Sequence, residues 1–236
     1  MSSKTPPADL VLQKVVNPSP EEIDEILQAM VKGFANEAFA NHFALPPSTL
    51  VLMQASEFAK IKQMAYLGPA LINGEVWVAR QKSDNAVLGV GIWSHAGYTM
   101  GDTPEQRAFY EEYHKLVSPE EAAFDSRFRE TILAERNAAF PGPWRNHIHL
   151  HNLVTVPEAR GRGVGGAIMG EMIRQGLVRG QRMNLCTPTE QNRRFYERHG
   201  FKTIWEREVV YDDGANGQYI DMMREATPVH QVLKSQ

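Results

Sequence analysis

One cysteine, Cys186, stands in 236 residues. A single thiol excludes an internal disulfide framework and suits a reducing compartment. Long apolar runs are missing as well: none approaches the roughly 20 residues of a membrane span, and the opening MSSKTPPADL has no apolar signal core. Charge of one sign is scarce, 25 Lys and Arg against 28 Asp and Glu. The resulting net charge of −3 argues against general nucleic-acid binding. No Ser/Gly linker, charge block or internal repeat divides the chain. These absences make the cytosol the default compartment, with nuclear entry still open, point to neither membrane nor nucleic acid as an expected partner, and leave the oligomeric state open. Residues 1–9 read as a loose tail with two prolines. Residues 10–236 are long enough for one domain with a sizeable core.

What is present alternates between strand and helix signals. Residues 11–16 read as a short strand. Ser19-Pro20-Glu21-Glu22 supplies a cap, a first-position proline and an early acid, so a helix should run to about Phe34. Ser48 opens a second helix, expected to end before Gly68-Pro69. Residues 75–80 and 86–94 are β-rich and flank the hairpin signal Ser83-Asp84-Asn85. Thr103-Pro104 and Ser118-Pro119 start two more helices, the later one running toward Asn137. Residues 147–156 form the next strand. Val164, Ile168 and Met172, with Met169, Ile173 and Leu177, recur at helical spacing until Gly180. Residues 183–186 read as a strand and 190–199 as a helix. Strands at 203–211 and 218–224 follow, joined by Asp212-Asp213-Gly214. The chain is α/β, with an antiparallel hairpin early and another late.

The stretch HLHNLVTVPEARGRGVGG, residues 149–166, carries the most chemistry. An apolar run stops at Pro157, arginines and close-set glycines follow, and a helix begins. Such a loop offers backbone N–H groups, two guanidinium groups and a helix N-terminus to an anion such as a pyrophosphate. Gly161, Gly163 and Gly166 also fit a dinucleotide G-x-G-x-x-G. That reading needs an acidic residue about 20 positions on, and none occurs from Met172 to Thr189. A Walker loop is excluded, because no Gly-Lys-Ser/Thr follows. A plain glycine turn capping a helix is the other alternative.

The order of parts resembles the GNAT superfamily of acetyl-CoA-dependent N-acetyltransferases. The pattern Gln/Arg-x-x-Gly-x-Gly/Ala is met by Arg160-Gly161-Arg162-Gly163-Val164-Gly165. A second match is Phe195-Tyr196-Glu197-Arg198-His199-Gly200-Phe201. The resemblance is firm over 147–224 and weakest at 103–137, which looks like a helical insertion. It implies a GNAT-like mixed, mainly antiparallel central sheet flanked by helices, with acetyl-CoA as co-substrate and no metal. It also implies that the amides of Arg162, Gly163, Val164, Gly165 and Gly166 bind the CoA pyrophosphate. Arg160, Gly161 and Arg162 would complete the phosphate loop. The pantetheine arm would lie strand-like along Leu153, Val154 and Thr155. Phe195 belongs to the second motif. Asn192 is a further CoA contact by resemblance to puromycin N-acetyltransferase, although many members place that asparagine where this chain has Thr189.

His147, His149 and His151 alternate along one strand and should share a face. The segment 149–154 is similar to the His-Leu-His-x-Leu-Ala segment of arylalkylamine N-acetyltransferase, which implies that His149 and His151 take the proton from the acceptor amine. An alkylammonium of pKa about 10.4 cannot attack a thioester, and histidine titrates in the range a base needs. A His-x-His metal pair, lacking a third ligand, and simple polar packing are the alternatives. Tyr196 stands where the superfamily places the acid that protonates the departing thiolate; packing beside Phe195 and Phe201 is the alternative. Cys186 reads as a strand residue and not a nucleophile. Phe34, Phe39, Phe43, Trp93 and Trp144 are candidate walls of an apolar acceptor pocket. The sequence thus reads as an acyltransferase acting on a small, apolar or aromatic primary amine by direct attack in a ternary complex. A protein acetyltransferase and a non-catalytic CoA-binding regulator are the rivals.

Overall fold

The computed structural model describes residues 7–35, 55–140, 142–210 and 216–226. Seven strands form one sheet: β1 (Leu10–Lys14), β2 (Glu75–Gln81), β3 (Val87–Ser94), β4 (Ile148–Thr155), β5 (Met183–Thr187), β6 (Lys202–Val210) and β7 (Asn216–Arg224). Their spatial order is β1-β2-β3-β4-β5-β7-β6. Every pairing is antiparallel except β4 with β5. The helices are α1 (Pro20–Phe34), α2 (Ala55–Asn73), α3 (Pro104–His114), α4 (Pro119–Ala139), α5 (Val164–Arg179) and α6 (Glu190–Arg198). The mixed, mainly antiparallel sheet and the inserted pair α3–α4 are as the sequence predicts. Among the described residues no helix is long and apolar enough to cross a membrane.

Local chemistry sets the helix ends. Ser19 accepts the N–H of Glu22 at 3.3 Å, and Thr103 with Gln106 closes a capping box at the start of α3. Gly180, at φ +61°, ends α5 in the left-handed conformation that a residue without Cβ adopts at least cost. One expectation is corrected: α2 runs through Gly68-Pro69 instead of stopping before it. Proline forfeits one backbone bond there. Packing on α3 offsets that loss, since a Cβ on Gly68 would lie 2.6 Å from the Phe109 ring and Gln106 donates to the Pro69 carbonyl at 3.0 Å. The expected start at Ser48 and the turn Asp212-Asp213-Gly214 lie outside the described residues.

Helix α1 packs on β3 and β4, and α5 packs on β2, β3 and β4. Gly33 allows the first approach, because a Cβ there would overlap Val154 Cγ2. On the other side Ile168, Met169 and Met172 of α5 are fully buried in the core. Gly89 allows the N-terminal turn of α5 to close on β3: a Cβ there would lie 2.6 Å from Val164 Cγ1 and 2.9 Å from the Val154 carbonyl oxygen. The second neighbour is backbone and cannot swing aside. Gly89→Ala should therefore destabilise the fold by about 1–3 kcal/mol through overpacking, measurable as a lower denaturant midpoint at unchanged slope.

Candidate active site

Two features of β4 create a site inside the sheet. The ladder to β5 consists of Ile148↔Met183, His149↔Asn184 and Leu150↔Leu185, and stops there although β4 continues to Thr155. The register to β3 skips one residue, pairing Ile92 with Asn152 and Trp93 with Leu150. His151 is thus the extra residue of a bulge. The Val156 N–H bonds the Leu88 carbonyl on the β3 side, so alternation turns the N–H groups of Leu153 and Thr155 toward the side β5 has left. An extended chain can dock on that open edge.

The edge ends at the glycine loop. A 3-10 turn at Pro157–Ala159 leads to Gly161 at φ +78° and Gly163 at φ +82°. Gly163 caps α5 with no side-chain bond to its amides. The first amides of a helix have no partner within it, so residues 163–166 present N–H groups with the positive helix end behind them. Gly165 brings the loop against its neighbours, with an added Cβ 3.5 Å from Thr155 Oγ1 and 3.6 Å from the Phe195 ring. Both arginines of the loop are engaged. Arg160 donates to the Gly33 carbonyl at 2.8 Å, and Arg162 pairs with Asp9 at 2.7 Å. Arg162 faces the loop's surroundings and is partly exposed, whereas Arg160 braces the loop on α1.

The histidines gather on the sheet face opposite α5. The rings of His149 and His151 meet edge-on, 4.5 Å between centres. His147 precedes the strand, in the turn after Trp144–Asn146, yet joins the same cluster. Asn184 organises His147 and His149. Its amide nitrogen donates to the Trp144 carbonyl at 3.0 Å and to His147 Nδ1 at 3.3 Å, which turns its oxygen toward His149 Nδ1. His149 must donate to that oxygen, so its Nε2 is the nitrogen that carries the lone pair. His151 Nε2 lies 3.1 Å from Ser94 Oγ. Burial pushes His149 well below the ordinary imidazole range, helped by the positive charge of its neighbours and opposed by Asn184. His151 is pushed down to about 3, again chiefly by burial and then by Arg136. Both rings are uncharged at pH 7, and less basic than histidine in water.

Beyond the histidines the same face carries Cys186, Tyr219 and Asp221 from β5 and β7, with Arg136 from α4. Burial raises Cys186 to about 12, so its thiol stays protonated and unreactive, as the sequence predicts. Asp221, fully buried beside Arg136, is raised to about 6 by burial. Tyr196 is buried between Phe195 and Phe201, edge-on to both. Asn192 lies in the first turn of α6, its N–H held by Thr189 Oγ1 at 3.2 Å. Of the aromatic candidates, Trp144 meets His149 edge-on at 5.0 Å. Trp93 is instead fully buried core, stacked on Trp77. Phe34 packs on the core from the end of α1, and Phe39 and Phe43 lie outside the described residues. Among the described residues no three His, Cys, Asp or Glu stand where they could share a metal ion.

Sequence reasoning missed Asn184, Ser94, Arg136 and Asp221. Asn184 carries a signal, since a polar residue within the apolar run Met183-Asn184-Leu185 must find partners when buried. His199 was missed as well. Its Nδ1 donates to the Phe195 carbonyl at 2.8 Å, and its Nε2 lies 3.6 Å from an added Cβ on Gly166, beside the helix N-terminus.

Residues 129–203 match the family model of the acetyltransferase (GNAT) domain. No curated protein sequence matches the chain. Several solved structures share the fold. A histone acetyltransferase HPA2 and related acetyltransferase from Corynebacterium glutamicum superposes with a TM-score of 0.63 at 17% identity, covering 93% of this chain and 98% of that one. The polyamine N-acetyltransferase of Drosophila melanogaster, described as forming N-acetylagmatine, gives 0.58 at 17% identity over 92% of this chain and 100% of its own. An agmatine N-acetyltransferase in its apo form gives 0.58 at 17% over 92% and 99%. At these identities the likeness is one of fold.

The buried histidines make stability depend on pH. The unfolded chain protonates His151 below about 6.5, whereas the folded protein does so only near 3. This contribution is therefore complete above pH 6.5 and is lost as pH falls. Asp221 works in the opposite sense, since its raised value favours the fold as pH drops from about 6 toward 4. With His149 adding to His151, net stability should fall between pH 7 and pH 5. The His151→Gln variant should lose about 2 kcal/mol less over that interval, read from urea unfolding at the two pH values.

Proposed function

We propose that this chain, which carries an acetyltransferase (GNAT) domain, transfers an acetyl group from acetyl-CoA to the primary amine of a small molecule. One observation supports the reading above others: the edge of β4 freed beyond Leu150 leads straight to the bare N-terminus of α5. A pantetheine arm would pair with Leu153 and Thr155 past Val154, and its pyrophosphate would lie on the amides of Gly163, Val164, Gly165 and Gly166. The Arg162 amide, expected among them, instead donates to the Ala159 carbonyl at 3.3 Å. Gly161 shapes the loop. Arg162 would exchange Asp9 for a phosphate, while Arg160 keeps the loop in place. Phe195 and Asn192 would border the arm from α6.

At the thioester the amine nitrogen attacks the carbonyl carbon and the C–S bond breaks. His149, through Nε2, or His151 beside it accepts the amine's proton, and Tyr196 supplies a proton to the departing thiolate sulfur. A weakly basic imidazole suffices once the N–C bond is forming, because the nitrogen is then far more acidic than a free ammonium. Trp144 near His149 suits an acceptor with an apolar or aromatic body. Agmatine and polyamine acetyltransferases of this fold bear names of small-amine chemistry, and another neighbour is named a histone acetyltransferase, so the small acceptor is proposed from the site and not from these names. Residues 10–236 act as one unit in this account, in the cytosol.

The test is the double change His149→Gln with His151→Gln, assayed by thiol release with acetyl-CoA. It should lower kcat/KM for an alkylamine by roughly 10²–10⁴-fold. An aromatic amine of low pKa, which sheds its proton readily, should lose much less. Equal losses with both acceptors would make the histidines structural and end the proton-accepting reading.

A further inference from the structure

Arg136 stands near the end of α4 and is 4% exposed, with Asp221 of β7 at 0%. Its Nε lies 3.0 Å from Asp221 Oδ1. Among the described residues, Arg136 Nη2 and Asp221 Oδ2 have no hydrogen-bond partner. Buried charges are costly, and a pair that serves stability alone recovers the cost by completing its hydrogen bonds. This one does not. Its remaining contacts lead instead to the histidines. The guanidinium lies over the Trp144 ring at 4.8 Å and the Phe140 ring at 5.4 Å. Trp144 in turn meets His149 edge-on and, through its carbonyl, fixes Asn184, which holds His149 Nδ1.

We propose that Arg136 is a positioning residue for the His149–His151 pair: anchored on Asp221 and laid across Trp144, it fixes the turn whose ring packs on His149 and whose carbonyl holds Asn184, and it places a cation on the face that both imidazoles share. The inserted helix α4 thereby completes the site by supplying a buried cation to the sheet face. The inference rests on the proposed function for its purpose, though not for its physics. Among the described residues Arg136 is the charge that acts on both imidazoles, while His151 and His147 act on His149 in the same direction. Ser94 of β3 and Asn184 of β5 are neutral, and Cys186 and Tyr219 are held protonated by burial. Asp221 is matched by Arg136 itself. His147 is also pushed down by burial, and Arg182 and Glu225, which bear on it, oppose one another. Burial is the main reason that His149 and His151 are hard to protonate, and the charge of Arg136 acts in the same direction.

The test uses Arg136→Gln combined with Asp221→Asn, which removes both charges at nearly constant shape and leaves neither ion stranded. Arg136→Lys serves as the charge-keeping control. Imidazole carbon-bound protons are followed by NMR from pH 8 to pH 5, with His149→Gln and His151→Gln spectra for assignment. In the wild type and in Arg136→Lys these two signals should stay flat. In the folded double variant the signals should begin to titrate toward the acid end of the range, and kcat/KM should fall relative to wild type by a larger factor at pH 5 than at pH 8. Signals as flat in the folded double variant as in the wild type would overturn the proposal. Signals that titrate while the activity profile stays wild-type would support the action of Arg136 on the imidazoles and overturn their proton-accepting role.

Discussion

The parting of β4 from β5 after Leu150 is the constraint on which the rest depends. A backbone N–H or carbonyl left unpaired inside a protein is costly, so sheets normally close such gaps. Here two parallel strands agree for three residue pairs and then separate, while β4 remains paired to β3 on its other edge. The bulge at His151 sits where the separation begins. It lets β4 change direction without losing β3, and it turns the groups of Leu153 and Thr155 toward the gap. Helix α5 starts close to the end of that edge because Gly89 allows it to approach, so the open edge and the positive helix end become one continuous surface.

Burial governs the chemistry on the opposite face. The imidazoles lose basicity by being enclosed, and His149 gains a defined tautomer and a fixed orientation through Asn184. Enclosure also quiets Cys186 and lifts Asp221, so a single physical effect sorts four titratable groups into different roles. The arginine from α4 belongs to the same arrangement, although it arrives from a segment that could otherwise be read as a decoration of the fold.

Much of this was legible in the sequence, for reasons particular to each element. Caps and turn residues are local, so Ser19, Thr103 and Gly180 mark their helix ends reliably. The glycine loop is legible because its backbone demands, positive φ and close approach, select glycine itself. The alternation of His147, His149 and His151 predicts a shared face, and the rings do gather, although His147 reaches the cluster from a turn before the strand. What could not be read were the pairings between distant segments. Nothing local in Arg136 points to Asp221, and nothing in Asn184 names His149, because both depend on strand order and on an inserted helix. The run of α2 through Pro69 is another such case, where packing on α3 outweighs a breaker signal that local rules trust. The depression of the histidines likewise depends on burial, which periodicity alone does not measure.

The central claim is that the open edge of β4 and the N-terminus of α5 together hold acyl-CoA. Amide hydrogen exchange, resolved by residue with and without saturating CoA, tests it most directly. The account predicts slowed exchange at Leu153 and Thr155 and at residues 163–166, with little change on β6 and β7. Saturable CoA binding that leaves those amides exchanging as before would contradict it.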